Sequence, residues 1–586
     1  MHRRRDRGAR PPDAPFRRVS GAPRRSVPVG AIRRLGERAL LVGVEGPRAA
    51  RTLARAVHAS GMAGATEVVG GLATVMVAID TEGTDLGAWA RLLADLLEES
   101  SVRSDDEAEG AHVVIPCAFE GPDLEEVAEL VGCTPESVIE LVTAHPLTVA
   151  VVGFSPGFAY LDGLPPELRR IPRRSRPRPV VAPGSVALAN GYAAVYPTAS
   201  PGGWQLIGRT EVQLFTPWEA PYARLATGDR VQFTRAPEGL TGGSPPWAPG
   251  RRQPAPSTED YPSARPVFVV EEAGLRTVLQ DGGRRGLASL GVPAASPGDP
   301  VSFRLANQLV GNPVDACALE VTARGPTLSC VSPTFVAVVG ASPELRLQGQ
   351  PVASGRVVPV NAGQRLVVGP VRGGLRSYIA IAGGLVGPEV FGSQSSDLLA
   401  ALGPGPLTVG ACLWAAAMEP PLGDHLREDV TTGVADGEPV SLRVVPGPHL
   451  EHFSAGAFAS LAAMRFTVEA ESNRVGLRLR RDPGLSPVYG APDAGTELDS
   501  QAMVTGAVQM PPNGEPVILL TDHATLGGYP VIAVVAAVDQ GKLGQCAAGA
   551  TIIFDPIDHA GADAALAAQQ RNLDSAVVGR YPVVVE

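Results

Sequence analysis

Apolar and polar positions change period several times along this chain, and each change predicts an element. Leu35 to Val44 reads as a strand, Pro47 to Ser60 as a helix, Ala65 to Ile79 as two strands, and Leu86 to Glu99 as a helix with apolar i, i+3, i+4 spacing. Together they predict a small antiparallel sheet with two helices on one face, over residues 29–110. Val113 to Pro116 then reads as a strand. Asp123 to Val131 and Pro135 to Ala144 read as helices, the second capped by Thr134 with Pro135 in its first turn. From Leu147 to Arg235 short apolar runs alternate with Gly/Pro turns. Leu147 to Val152, Val180 to Leu188, Ala193 to Tyr196, Gly203 to Gly208, Gln213 to Phe215 and Arg230 to Phe233 predict strands of a small barrel over 111–236.

A Pro/Gly/Ser-rich stretch without period, residues 237–265, predicts a linker. Beyond it Val267 to Glu271 and Thr277 to Asp281 read as strands. Pro300 to Val310 reads as a helix stopped by Gly311-Asn312-Pro313, and a strand series runs to about Leu407. A second segment begins at Leu442, with a helix near Ala455 to Met464, so 266–586 is expected to divide near 420–440. No repeat is legible between the two halves. The fold class expected is α+β, mainly β.

Composition narrows the function. With 68 glycines and 56 prolines in 586 residues, short strands and turns are favoured over helix bundles. A net charge of −10 argues against nucleic acid as a partner. The first 25 residues hold nine arginines and no apolar core, which predicts a disordered tail over 1–28 rather than a secretory signal. No apolar run reaches the roughly 18 residues that would span a bilayer. Six scattered cysteines without a C-x-x-C pair are expected to be reduced core residues of a cytoplasmic protein. Among the 50 basic residues Lys542 is the single lysine, and it belongs to neither a phosphate-binding G-K-[ST] nor a biotin attachment turn.

Candidate chemistry begins with Gly153-Phe154-Ser155-Pro156-Gly157, which fits G-x-S-x-G. A nucleophile elbow needs an oxyanion-hole N–H from the residue after the serine, and Pro156 has none. Arg169, Arg170, Arg173, Arg174, Arg176 and Arg178 form a basic run, readable as a solvated loop or as a phosphate contact. His449-Leu450-Glu451-His452 has H-x-x-H spacing in an expected loop but no third ligand, so it reads as two surface histidines and no metal site.

Longer motifs carry a family resemblance. The stretches GFSPGFAYL, Ala182 to Val186, SPGGW and Gly228 to Val231 make residues 29–235 resemble the KipI-like family (allophanate hydrolase subunit 1, the B component of 5-oxoprolinase). LQDGGRRG, ANQLVGNP, LEVTARGP, GSQSSD, SNRVG, GAVQMPPNGEP and DHATLGGYP make 266–586 resemble the KipA-like family (allophanate hydrolase subunit 2, the C component of 5-oxoprolinase). The same pair forms the carboxyltransferase region of urea carboxylase. The resemblance implies cyclophilin-like β-barrels with smaller α/β subdomains, and a cytoplasmic hydrolase component that opens 5-oxoproline to glutamate. It implies ATP as co-substrate with Mg²⁺, and a separate A-type component of the LamB/YcsF family as partner. Two alternatives stay open: a carboxyltransferase or allophanate-hydrolase-like component of a urea or amide pathway, and a non-enzymatic regulator of a histidine kinase. Self-association is also left open.

By motif position the catalytic candidates are Asp522, His523, Asp281, Lys542 and Glu320. The substrate or nucleotide candidates are Arg173, Arg174, Phe158, Tyr160, Gln280, Arg284, Ser472, Arg474, Gln509, Thr525, Gly527, Gly528 and Tyr529. Asp522 and His523, beside Gly527-Gly528-Tyr529, are the expected chemical cluster, at an interface of the two halves. The chain departs from the family pattern at Val142 and Leu147, where a histidine and a tyrosine are usual. It departs again at Ser296 to Pro300, where a proline follows the aspartate.

Overall fold

The computed structural model describes residues 27–62, 64–80, 85–102, 110–237, 263–417, 425–428, 430, 432–435, 437–482 and 498–579. Residues 1–26 of the expected Arg-rich tail and 238–262 of the expected linker lie outside the described residues, whereas Val27, expected in the disordered tail, is buried in the core shared by the two halves.

Strands Ile32–Arg34, Ala39–Gly43, Thr74–Ile79 and Ala65–Gly70 pair antiparallel in that order. Helices Pro47–Ala59 and Leu86–Val102 share one core with Leu40, Val42, Val75 and Val77. Leu41 and Met76, on the opposite face, enter a different core that spans both halves of the chain. Both faces are therefore covered, which is why Ala39–Gly43 is apolar throughout instead of alternating.

The next unit is a seven-stranded sheet. Its edge strand His112–Cys117 runs parallel to Arg230–Arg235, and a bridge between Ala118 and Arg209 draws its two edges together into a barrel-like form. Helices Leu124–Val131 and Pro135–Thr143 follow the first strand; the Thr134 hydroxyl accepts the Ser137 N–H as its sequence promises. Two strand expectations fail here. Val180 to Leu188 is two strands, Arg178–Val181 and Ser185–Ala189, because Gly184 at φ +79° turns the chain between them. Gln213 to Phe215 forms no strand; Phe215 makes one isolated bridge to Ala223.

In the second half, strands from Arg265–Glu272 to Cys412–Ala415 build a ten-stranded sheet, against which helix Pro300–Leu309 packs. A closed barrel follows, from Val440–Pro446 to Thr551–Pro556, whose first and last strands are again parallel. The helix expected near Ala455 to Met464 is a short α-turn, Ala457–Ser460, continued by a 3₁₀ turn.

The two barrels share one topology. Counting only the seven barrel strands of each in chain order, the first reads 6-4-5-3-2-7-1 and the second 1-6-4-5-3-2-7, the same circular order. Each also inserts a two-stranded hairpin between its third and sixth strands: Arg178–Val181 with Ser200–Gly202, and Gln501–Ala502 with Leu526–Gly527. Gly202-Gly203-Trp204 of one hairpin thus corresponds to Gly527-Gly528-Tyr529 of the other. The repeat that periodicity and motifs did not disclose exists at the level of strand order. The facing surfaces of the barrels merge in one core holding Phe158, Tyr160, Tyr196 and Trp204 with Met503, Leu526 and Val534.

Candidate functional site

A buried ion network joins the ten-stranded sheet to the second barrel, and Glu320 is its hub. Glu320 lies on Ala318–Thr322, paired in register with Tyr378, while Thr322 pairs with Arg376 on the same neighbour. Alternation along that neighbour places Arg376 and Tyr378 on one face. The Tyr378 hydroxyl donates to Glu320 Oε2 (2.8 Å), and the Gly298 N–H donates to the same oxygen (2.9 Å). Oε1 accepts Arg474 Nη1 at 2.5 Å and lies 3.3 Å from Arg376 Nε.

Arg474 comes from the loop between the second and third strands of the closed barrel. Its Nε and Nη2 grip both oxygens of Asp522 at 2.8 and 2.9 Å, and Nη2 also donates to the Ser296 carbonyl at 2.8 Å and to Thr521 Oγ at 3.1 Å. All three charged side chains are buried. Burial by itself would raise the Glu320 carboxyl. The two guanidiniums, with the Gly298 N–H and Tyr378 hydroxyl, more than reverse that and hold it at about 2. Asp522 raises Arg474 further, followed by Glu320, against the opposing cost of burial.

The Ser296 to Pro300 departure is absorbed into this architecture. Asp299 caps helix Pro300–Leu309, accepting the Val301 and Ser302 N–H groups, and Pro300 takes the first-turn position. Asp299 Oδ2 also accepts Gln545 Nε2 at 2.7 Å, and Gln545 Oε1 accepts the Leu375 and Arg376 N–H groups. Burial pushes the Asp299 carboxyl up. Val142 and Leu147, the other departures, are buried in the first barrel's core. A cavity of about 60 Å³ opens beside the network, lined by Ser296, Gly298, Arg376, Arg474, Thr521 and Gln540 among others.

A second polar cluster adjoins the first. Asp281 closes the Ser393 to Ser395 loop, accepting both hydroxyls (2.6 and 2.8 Å) and the Gln394 N–H (2.6 Å). Gln280 Nε2 donates to the Ser396 carbonyl, and Arg284 donates to the carbonyls of Val390 and Ser395. Asp397, buried next on that loop, is pushed up to about 7 by burial and then by the Asp522 charge, with the Ala400 N–H, Arg284 and Arg474 pulling the other way.

The GFSPGFAYL stretch closes the junction from the first half. The Phe154 N–H donates to Thr525 Oγ1 at 3.2 Å, and the Gly157 N–H to the Leu290 carbonyl at 2.9 Å. A Cβ on Gly153 would lie 2.5 Å from Leu526, and one on Gly291 2.1 Å from the Ser155 carbonyl, so both glycines are required by close approach. Phe154 itself sits at φ +77°.

Of the residues singled out from sequence, the fold gathers Glu320, Arg474 and Asp522 into the first cluster and Gln280, Asp281 and Arg284 into the second. Thr525 meets the first half, and Gln509 Nε2 reaches Met503 Sδ (3.4 Å) beside Gly527. The Gly528 carbonyl accepts the Leu498 N–H, and Tyr529 is half-buried beside it. Phe158 and Tyr160 are core aromatics packed on Trp204.

Others go elsewhere. Asp522 and His523 are not bonded to each other: Asp522 is engaged by Arg474, and His523 Nδ1 turns to the Ala524 carbonyl at 2.8 Å. Lys542 contacts Asp539 and the Ser441 carbonyl, each at 3.0 Å. Ser472 bonds back to Arg478. In the arginine run Arg174 and Arg178 converge on buried Asp123 at 2.9 and 2.7 Å, an anchoring role, and half-buried Arg173 acts on the Tyr196 hydroxyl. His449 corrects the surface reading. It is fully buried, bonded to Gln501 and accepting the Val531 N–H, and burial depresses its ring to about 3.

Sequence reasoning missed Arg376, Tyr378, Asp299, Gln545 and Asp397. A signal existed for two: charged and hydroxylated residues inside the otherwise apolar Leu375-to-Ile381 run. Among the described residues no group of three or more His, Cys, Asp or Glu side chains is placed to hold a metal ion, and no helix is long and apolar enough to cross a membrane.

Comparison with known proteins follows the same division. Residues 30–225 match the family described as carboxyltransferase domain, subdomain C and D, and residues 290–556 match subdomain A and B. The chain is 34% identical to the C component of 5-oxoprolinase from Escherichia coli (strain K12) over 292 residues, 49% of this chain and 90% of that protein. It is 42% identical to the B component of 5-oxoprolinase from Bacillus subtilis (strain 168) over 142 residues, 24% of this chain and 59% of the relative. Urea amidolyase of Lachancea kluyveri is 30% identical over 317 residues, of which the chain spans only 17%. The crystal structure of TTHA0988 superposes with TM-score 0.76 at 32% identity, covering 88% of this chain and all of that one.

Proposed function

Because the chain belongs to the carboxyltransferase-domain family, we propose that it is the fused B and C component of a 5-oxoprolinase, opening 5-oxoproline to glutamate. Relatives named as B and C components of 5-oxoprolinase, and as urea amidolyase, support an enzyme-component role. The observation that carries the finer reading is the junction. B-like and C-like halves on one polypeptide pack into a shared core, and Thr525, three residues beyond Asp522 of the ion network, accepts the Phe154 N–H of the first half.

A lactam is a poor electrophile, so its opening needs the carbonyl oxygen activated. In this reading ATP with Mg²⁺ supplies that activation as co-substrate. The roughly 60 Å³ cavity beside the ion network is small against the ~300 Å³ or more of typical small-molecule sites, so the network itself does not house a nucleotide. We therefore assign nucleotide binding to the complex with a LamB/YcsF-type A component. To this chain we assign a pre-formed set of fixed charges: Arg474 and Arg376 held rigid by Glu320 and Asp522, positioned before substrate arrives and needing no reorganisation.

Glutamate release from 5-oxoproline with ATP and Mg²⁺, with and without the A component, tests this directly. Turnover only in the mixture is expected. Absence of turnover with a cognate A component present would overturn the reading. The urea-amidolyase similarity favours a second one, an amide-pathway carboxyltransferase component, which requires carboxyl transfer dependent on an added biotin carrier.

A further inference from the structure

The small α/β unit at the start of the chain reaches the second half with two carboxylates, and each takes hold of backbone. Glu37, in the turn between Ile32–Arg34 and Ala39–Gly43, is 3% exposed and accepts the Ala537 N–H at 2.8 Å. Glu67, on the edge strand Ala65–Gly70, accepts the Gly286 N–H on Oε1 at 2.5 Å and the Ala288 N–H on Oε2 at 3.2 Å. Both carboxylates act at the start of a 3₁₀ turn, Ala537–Asp539 and Ala288–Leu290. The first N–H groups of such a turn have no partner within it.

A buried carboxylate is a costly acceptor for that purpose. Burial pushes both carboxyls up, and backbone N–H groups come first among what opposes it: Ala537 for Glu37, Gly286 and Ala288 for Glu67. A serine or asparagine could accept from a turn without a charge to desolvate. What the charge adds is strength, because a hydrogen bond to an ionised acceptor is roughly twice as strong as a neutral one.

The two gripped segments are the ones that hold the ion network. Past Gly286 and Ala288 the chain runs through Gly291, packed on the Ser155 carbonyl, to Ser296 and Gly298. The Ser296 carbonyl accepts Arg474 Nη2, and the Gly298 N–H donates to Glu320. Past Ala537 the chain runs to Gly544 and Gln545. The Gly544 carbonyl accepts Arg376 Nη1, and Gln545 Oε1 accepts the Leu375 and Arg376 N–H groups. Arg474 and Glu320 are thus backed by a segment tied to Glu67, and Arg376 by a segment tied to Glu37.

We propose that Glu37 and Glu67 are positioning residues: through these two segments the small α/β unit fixes the spacing of Arg376, Glu320 and Arg474. The network is built from the C-like half, and its geometry is set from the B-like half. The inference rests on the 5-oxoprolinase reading only for the reaction that this spacing serves.

Hydrogen exchange of the full chain, without substrate or partner, is the test. Glu67→Met and Glu37→Met keep each side chain's length and remove its acceptors. Glu67→Met should speed exchange at Gly286 and Ala288, and also at Gly298, which Glu67 does not touch. Glu37→Met should do so at Ala537, and also at Leu375 and Arg376. Each rise should be about tenfold, the scale of one hydrogen bond to a charged group. Glutamine should restore Glu37, whose Oε1 alone accepts the Ala537 N–H. It should restore Glu67 only in part, because its NH₂ would face one of the two N–H groups. Glu451→Gln is the control. It weakens the surface contact of Arg33 with Glu451, another tie between the same unit and the second half, and should change none of these rates.

With the A component added, both Met variants should lower kcat about tenfold with KM nearly unchanged, since neither carboxylate reaches ligand. Faster exchange confined to the gripped amides, an equal response to Glu451→Gln, or undiminished kcat would overturn the proposal and leave the carboxylates as docking contacts. Should a Met variant not fold, Glu67→Gln decides by the same amides. A parent that releases no glutamate would overturn the functional reading alone, because the exchange rates are read without it.

Discussion

The two barrels repeat one strand order but fill the corresponding place differently. In the first, the loop after the second strand delivers Phe158, which meets Tyr196 at the end of the fifth strand edge-on, ring centroids 5.2 Å apart. In the second, the same loop delivers Arg474 and the chain after the fifth strand delivers Asp522, joined at 2.8 Å. Phe158 continues into Tyr160 and Trp204, an apolar wall. Arg474 continues into Glu320 and Arg376, a wall of charge. The hairpins behind both retain a Gly-Gly-aromatic sequence. One copy has kept a dry interior surface suited to docking the other half, while the second has accepted the cost of buried charge, which replacement by hydrophobic residues often relieves. Where a duplicated scaffold tolerates that cost in one copy only, chemistry is the better explanation than stability.

Substitutions that cross this divide should differ most. Arg474→Met leaves Asp522 buried without its guanidinium and Glu320 with Arg376 as its remaining cation, and breaking a buried pair costs about 3–5 kcal/mol. It should give the largest loss of thermal stability, and the loss should shrink as pH falls. The Glu320 contribution is fully present above the ordinary carboxylate range of about 4.3 and disappears as pH falls through its depressed value of about 2. Denaturant melts of parent and variant between pH 3 and 7 read this out. A pH-independent deficit would break the comparison.

Phe158→Leu, in the corresponding loop of the first barrel, should cost about 1–2 kcal/mol, between the smaller and larger core truncations. Because nothing titratable is freed, its deficit should be the same across that pH window. The smallest effect is expected at the contact between the halves. Thr525→Val removes the acceptor of the Phe154 N–H and should cost about 1 kcal/mol, while lowering turnover of the reconstituted enzyme more than its stability. Equal turnover at saturating substrate would show that the junction serves docking alone.

Much of the fold was legible locally. Thr134 with Pro135 marked a helix start, the apolar run before Gly153 marked a buried strand, and glycine-punctuated short runs marked barrels. Val180 to Leu188 was misread because an apolar run does not reveal where a single glycine reverses direction. His449 was misread because a polar residue just after Pro446-Gly447-Pro448 looks exposed until the barrel closes over it.

The candidate site was legible only in pieces. Glu320, Arg474 and Asp522 each stood in a motif, but Glu320 and Arg474 are 154 residues apart, and only the packing of barrel on sheet makes them one group. Sequence determines what each segment does within hydrogen-bonding reach of itself: period, caps, turns and the residue types available. Which charges lose their water together, and so which carboxyl is driven down to about 2 and which up to about 7, depends on desolvation and on Coulomb fields between distant segments. Only the tertiary structure sets those.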